Sequence, residues 1–127
     1  MALSFWTLLD HLVKESSIVI DRPKGTAHPR YPDDIFPYDY GYLAGTTSGD
    51  GQGIDVWLGS LPDNRATAII CTIDLAKRDS EMKILLGCTQ EEMQVILRKH
   101  RIGLQSAVLI ERPAEEGSQE AEHSLER

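Results

Sequence analysis

Residues 36–58, FPYDYGYLAGTTSGDGQGIDVWL, constrain this chain more than any other stretch. The segment opens with a cluster of aromatics, Phe36, Tyr38, Tyr40 and Tyr42, and ends in two aspartates, Asp50 and Asp55, in a glycine-rich turn. Gly49, Gly51 and Gly53 can take backbone angles that residues with side chains avoid. The strand-like IDVWL that follows would present both carboxylates at the mouth of a sheet. Two neighbouring carboxylates cannot both stay charged without a counter-ion, and a divalent cation is the usual one. The same residues also read as a hairpin with solvated aspartates, which spacing alone favours.

The chain of 127 residues suits one domain with one real core, and its 41% hydrophobic and 26% charged content is that of an ordinary globular protein. A net charge of −7 argues against a nucleic-acid binder, for which a basic face is the first expectation. Residues 114–127 hold Glu115, Glu116, Glu120, Glu122 and Glu126 against Arg127, so four of the seven excess charges lie there. With little to bury, this stretch reads as a disordered acidic tail after a single domain spanning residues 1–113. Cys71 and Cys88 sit far apart in apolar runs, without zinc-like spacing, and read as buried thiols in a reducing compartment. Neither a secretory signal nor a bilayer-length apolar run is present, which makes a cytoplasmic address the default expectation.

Along the chain, residues 4–15 place Phe5, Leu8, Leu9, Leu12 and Val13 on one helical face with Ser4 as N-cap. Asp10 and Glu15 deprive that helix of the basic polar face that an anionic membrane would attract, so packing on the domain is expected. Ser17–Arg22 has the β-branched run of a strand. Thr26–Pro37 is a proline-studded connection of the kind that forms sites. Asp55–Gly59 reads as a strand with Val56 and Leu58 inward. Thr67–Leu75 and Glu81–Cys88 read as strands joined by a hairpin tip at Ala76–Ser80. Thr89 and Glu92 form a capping box that starts a helix running to about Arg101, with Met93, Ile96 and Leu97 on the core side and Gly103 as its stop. Arg98, Lys99, His100 and Arg101 suit the negative end of that helix without further function. Ala107–Glu111 is the last strand.

Two motifs, at the separation expected of a pair, carry a family resemblance. Phe36-Pro37-Tyr38-Asp39-Tyr40-Gly41-Tyr42 resembles the F-Y-P-x-N-Y-G-Y motif of the soluble family I inorganic pyrophosphatases, and Asp50-Gly51-Gln52-Gly53-Ile54-Asp55 resembles their D-x-D-P-x-D. The similarity spans Ile18 to about Arg112. It implies a mainly β fold with flanking helices (α+β), a small OB-like β-barrel, closed or partly open, with the aromatic cluster at one mouth. By the same resemblance Asp21 stands for a strand acid, Arg30-Tyr31 for a lysine-tyrosine pair, and Glu81-Met82-Lys83 for a D-x-K pair preceded by Asp79. His100-Arg101 stands for a phosphate-gripping tyrosine-lysine, and Arg30 or Arg22 would cover for an arginine on a hairpin that is absent here. The chain departs from the family at Gln52, Pro32 and Phe36, which replace a metal-bridging aspartate, a glutamate and a tyrosine.

The implied chemistry is divalent-metal-dependent hydrolysis of inorganic pyrophosphate or a related phosphoanhydride, altered or weak because an amide at Gln52 cannot balance cation charge or accept a proton. Asp50, Asp55 and Glu81 would hold Mg²⁺ or Mn²⁺, hard ions that take oxygen ligands. Asp55, Lys83 and Arg30 would act in catalysis. Lys24, Arg30, Tyr40, Lys83 and Arg101 would bind the phosphates. His28, beside Arg30, is a further candidate general base, although a loop histidine is more often merely exposed. The partners expected are a small phosphate-containing ligand and a homo-oligomer, with no nucleic acid and no membrane. The alternatives are a catalytically inactive relative that binds phosphate or nucleotide, and an interaction partner docking through Phe5, Leu8 and Leu12.

Overall fold

In the central strands of the sheet, adjacent residues are both buried. Ile69 and Ile70 are buried as neighbours, as are Val56 and Trp57, and Ile84 and Leu85. Successive side chains in a strand point to opposite faces, so a sheet with this pattern must be covered on both. The computed structural model describes residues 2–114 and shows two helices doing so. Helix α1 spans Phe5–Glu15 and helix α2 spans Gln90–Lys99; the strands are β1 (Ile18–Arg22), β2 (Asp39–Leu43), β3 (Ile54–Leu58), β4 (Ala66–Asp74), β5 (Asp79–Leu86) and β6 (Gln105–Glu111). On one face Trp57, Ile70 and Leu85 cluster with Met93, Ile96 and Leu97 of α2. On the other, Val56, Ile69 and Ile84 cluster with Leu9 of α1, with Trp6, Leu12 and Val13 packed against them. Each fully buried Leu or Ile in these clusters contributes roughly 1.5–3 kcal/mol.

Both helices start as their caps dictate. The Ser4 hydroxyl accepts a hydrogen bond from the Thr7 amide at 3.0 Å. Thr89 and Glu92 satisfy each other's backbone amides in a full capping box. Glu92 also accepts from the Ser60 amide, which ties the start of α2 to the segment after β3.

The strand order is β1-β2-β3-β5-β4-β6. All neighbours are antiparallel except β3 and β5, which run parallel with Val56 opposite Ile84. The architecture is the mainly β, α+β, OB-like class expected, as an open mixed sheet: among the described residues β1 and β6 are its two edges and no pairing closes it into a barrel.

Several local expectations need correction. The β4–β5 hairpin is tighter than Ala76–Ser80, because β5 already begins at Asp79 and Arg78 turns the chain with a φ of 57°. Helix α2 is capped at His100, so Gly103 does not stop it. Instead Gly103, at φ 61°, sits in the turn where Ile102 and Gln105 exchange backbone hydrogen bonds. Val56 and Leu58 do face one core together, as expected, with Leu58 partly buried against it; what was not expected is that Trp57, on the opposite face, is buried as well. The acidic tail expected at residues 114–127 lies, beyond Ala114, outside the described residues.

Gly41 is required by close approach. A bulge in β1 between Ile20 and Arg22 brings the two strands together, and a Cβ at Gly41 would lie 1.8 Å from the carbonyl oxygen of Val19. Gly41→Ala must push backbone apart, at a cost of about 1–3 kcal/mol or more. A urea midpoint lowered accordingly is the expected result, and an unchanged midpoint would contradict this account of the β1–β2 contact.

Candidate functional site

Strand alternation and register together select the residues on the α2 face. Tyr40 pairs with Trp57, and Tyr42 with Asp55, so Asp55 and Trp57 share a face. In β5 the same period places Glu81, Lys83 and Leu85 together, and the parallel register (Val56 to Ile84, Trp57 to Leu85) sets Asp55 beside Lys83. The face is therefore dry where Trp57 and Leu85 meet α2 and charged where Asp55, Glu81 and Lys83 converge.

Lys83 is 5% exposed, yet it carries an ammonium. Its Nζ donates to Tyr40 Oη at 2.7 Å, Asp55 Oδ2 at 2.8 Å and Glu81 Oε2 at 3.1 Å. An ammonium has three hydrogens, and three protein oxygens take them. Burial alone would lower the Lys83 pKa, but Tyr40 and Asp55 outweigh it and hold the group protonated, above the ordinary lysine range. For Tyr40 burial acts first and the Asp55 charge adds to it; against the pull of Lys83 they keep the side chain a phenol, with its pKa raised.

Next to this cluster the Trp57 indole N–H donates to Nε2 of His100 at 3.1 Å, so that nitrogen carries no proton. Burial, reinforced by the charges of Lys83 and Lys99, lowers the His100 pKa to about 4, and the imidazole is neutral at physiological pH. Trp57 meets the His100 ring edge-on at 5.8 Å, and Trp57, Tyr40 and Phe36 contact one another in tilted and T-shaped pairs with centroids 4.6–5.8 Å apart.

A cleft of about 1210 Å³ opens over this face. Of the residues expected to act, Tyr40, Glu81, Lys83 and Arg101 line it, and Asp55 joins them through Lys83. Arg101 is fixed there by its Nε–H, which donates to the Ala107 carbonyl at 3.0 Å. Lys24 and Arg30 are exposed on the β1–β2 connection and lie outside the lining. Lys24 stands 5.8 Å over the Tyr38 ring, and the Arg30 amide donates to Nδ1 of His28. Asp50 is exposed in the β2–β3 turn, where Ser48 and the Gln52 amide donate to its Oδ1. Those hydrogen bonds, with a smaller contribution from Glu81, lower its pKa. Among the described residues no three His, Cys, Asp or Glu side chains stand close enough together to enclose a metal ion.

Other residues line the cleft as well. Lys77 of the β4–β5 hairpin and Arg98 and Lys99 at the end of α2 carried no site role in the sequence, whereas Arg22 of β1 and His100 stood in for family residues only by resemblance. Lys99 also pairs with Asp34 and lies 4.9 Å over the Phe36 ring, fastening the β1–β2 connection to the helix. The basic run 98–101 was the available signal, but favourable charge at a helix end accounted for it without a site.

No protein-family profile matches this sequence, and no curated protein does. Solved structures do. The fold is similar to that of an inorganic pyrophosphatase from Neisseria gonorrhoeae, with a TM-score of 0.56 and 20% identity over 87% of this chain and 88% of the other. It is also similar to an inorganic pyrophosphatase from Helicobacter pylori (0.54, 11% identity, 99% and 96% of the two chains). A third is an inorganic phosphatase from Anaplasma phagocytophilum (0.52, 13% identity, 84% and 88%). At these identities the likeness is one of fold.

The neutral His100 makes stability depend on pH. Between an unfolded value near 6.5 and about 4 in the fold, the unfolded chain binds the extra proton, so stability is full above pH 6.5 and falls as pH drops through that window. The loss should reach on the order of 3 kcal/mol. Urea midpoints at pH 7 and pH 4.5 should show this drop in the wild type and a smaller one in His100→Gln. Lys83→Met leaves Asp55 and Glu81 without their shared cation and should cost roughly 3 kcal/mol. A midpoint at pH 7 equal to wild type would show that the buried ammonium does not hold the site together.

Proposed function

We propose that this cleft binds inorganic pyrophosphate or a related phosphoanhydride and hydrolyses it in a divalent-metal-dependent reaction of altered or reduced efficiency. The fold shared with inorganic pyrophosphatases supports the reading. The observation that carries it is the buried Lys83, bound to Tyr40, Asp55 and Glu81, at the floor of a cleft with cationic walls. Phosphoanhydride hydrolysis asks little covalent chemistry of the protein and much electrostatic placement.

The hydrogens of Lys83 are already committed, so its part is positioning: it fixes the two carboxylates and the phenol and adds positive potential from below. Arg22, Lys77, Arg98 and Arg101 line the walls and supply the phosphate contacts first expected of Lys24 and Arg30. Asp55 and Glu81, each giving one oxygen to Lys83, are the acceptors next to which a water would be oriented.

A divalent ion fits the donor set in kind and in charge. Asp50, Asp55 and Glu81 are hard oxygen donors, and set against Lys83 they leave an excess of negative charge that such an ion would balance. Among the described residues the enclosure is not preformed. Bound there, Mg²⁺ or Mn²⁺ would offset phosphate charge and acidify a water. A cytoplasmic homo-oligomer, with residues 1–113 as the working unit, belongs to the same reading; Phe5 and Leu8, about half exposed on α1, suit self-association.

One observation favours a second reading, a binding protein without turnover. Gln52 is exposed in the turn and Asp50 is engaged by its own turn residues, so the acidic loop is poorly supplied with charge for two cations. Phosphate release from pyrophosphate, with Mg²⁺ or Mn²⁺ and then with chelator, separates the two. Release by the wild type should stop with chelator and fall by about tenfold or more in Asp55→Ala. No release with pyrophosphate still bound selects the second reading, and neither release nor binding overturns both.

A further inference from the structure

The cleft is larger than a pyrophosphate needs. Two phosphate tetrahedra sharing an oxygen leave most of about 1210 Å³ unfilled, in a site above the roughly 300–1,000 Å³ usual for small organic ligands. Its lining is also mixed in character. Glu81, Lys83, Lys77 and Arg101 bring charge, and the β1–β2 connection adds the rings of His28, Tyr31 and Phe36 and the side chain of Ile35, together with Asp33 and with Asp34, which pairs with Lys99.

The aromatic wall is continuous with the charged floor. From Tyr40, which bonds Lys83, ring-to-ring steps of 5.5, 6.3 and 5.1 Å lead through Phe36 and His28 to Tyr31. Tyr31 lines the cleft and is 57% exposed, and Ile35 beside it is 49% exposed. The wall is also preformed. His28 donates its amide to the Asp34 carbonyl, the Asp34 amide donates to the Tyr31 carbonyl, and Asp34 pairs with Lys99 of α2. An exposed ring and cationic side chains lining one cleft suit a ligand with a flat aromatic group joined to a phosphate chain.

From the size of the cleft, its cationic lining and the exposed Tyr31 ring we infer that the ligand is a nucleoside di- or triphosphate, its phosphates held by Lys77 and Arg101 near the Lys83 cluster and its base stacked on Tyr31. The inference deepens the phosphoanhydride reading and rests on it. Stacking of a base on a protein aromatic is tolerant of base identity, so the class of ligand is named and the base is not.

Calorimetric titration of the full chain with ADP and with pyrophosphate, each with and without Mg²⁺, tests it. ADP should bind about tenfold or more tightly than pyrophosphate, and Tyr31→Ala should abolish that advantage while leaving pyrophosphate affinity as it was. Tyr31 is exposed, so the variant should keep its fold, checked by its circular dichroism. Pyrophosphate binding as tightly as ADP, or Tyr31→Ala weakening both ligands equally, overturns the inference and leaves the phosphoanhydride reading standing. Failure of both ligands to bind removes the two together.

Discussion

A lysine ammonium taken out of water at the centre of a sheet costs several kcal/mol before any partner is counted. Lys83 bears that cost because three strands deliver oxygen to one point: Tyr40 from β2, Asp55 from β3 and Glu81 from β5 itself. The condition is strict. A slip of one residue in any of these strands would turn the contributing side chain to the other face, where α1 packs on an apolar cluster. The ion cluster therefore acts on the register of the sheet as well as on the site, and the apolar residues around it have little freedom to repack.

The same demand explains the two-sided core. Trp57 and Leu85 lie one step along the strands from Asp55 and Lys83, and α2 covers them with Met93, Ile96 and Leu97. This dry layer raises the electrostatic stakes at its border. It keeps His100 neutral, accepting from Trp57, and it keeps Tyr40 a phenol. Charged floor and aromatic surroundings are thus one arrangement: the rings exclude water on one side, and the cleft opens on the other.

Much of the fold was legible because it is local. Ser4, Thr89 and Glu92 mark the helix starts by hydrogen bonds that span three residues, and the apolar runs after Thr67 and Glu81, joined by a short polar stretch, announce a hairpin. Asp55, Tyr40, Glu81 and Lys83 could be singled out from their motifs. What could not be read was that Lys83 would be buried, because that follows from β3 lying parallel to β5 while β4 sits on the other side of β5, between it and β6. The bond between Trp57 and His100 spans 43 positions, and the Arg112–Asp10 pair that ties the end of β6 to α1 spans 102. No short-range pattern announces either. Gly103 was misassigned for a related reason: a glycine after a helix signals a left-handed residue, but not whether the helix or the following turn needs it.

The parallel neighbours in this sheet, β3 and β5, are separated in sequence by the whole of β4. A β4–β5 hairpin can assemble from nearby residues, whereas β3 must arrive from outside after a longer closure, which places the joining of Asp55 to Lys83 late in the search for the native state. Until then the lysine is hydrated on an open hairpin face and the carboxylate is hydrated on a separate hairpin. In such a chain the cleft is completed with the last pieces of the sheet, and a partly assembled molecule would have most of its backbone pairing in place and the Lys83 cluster still unmade.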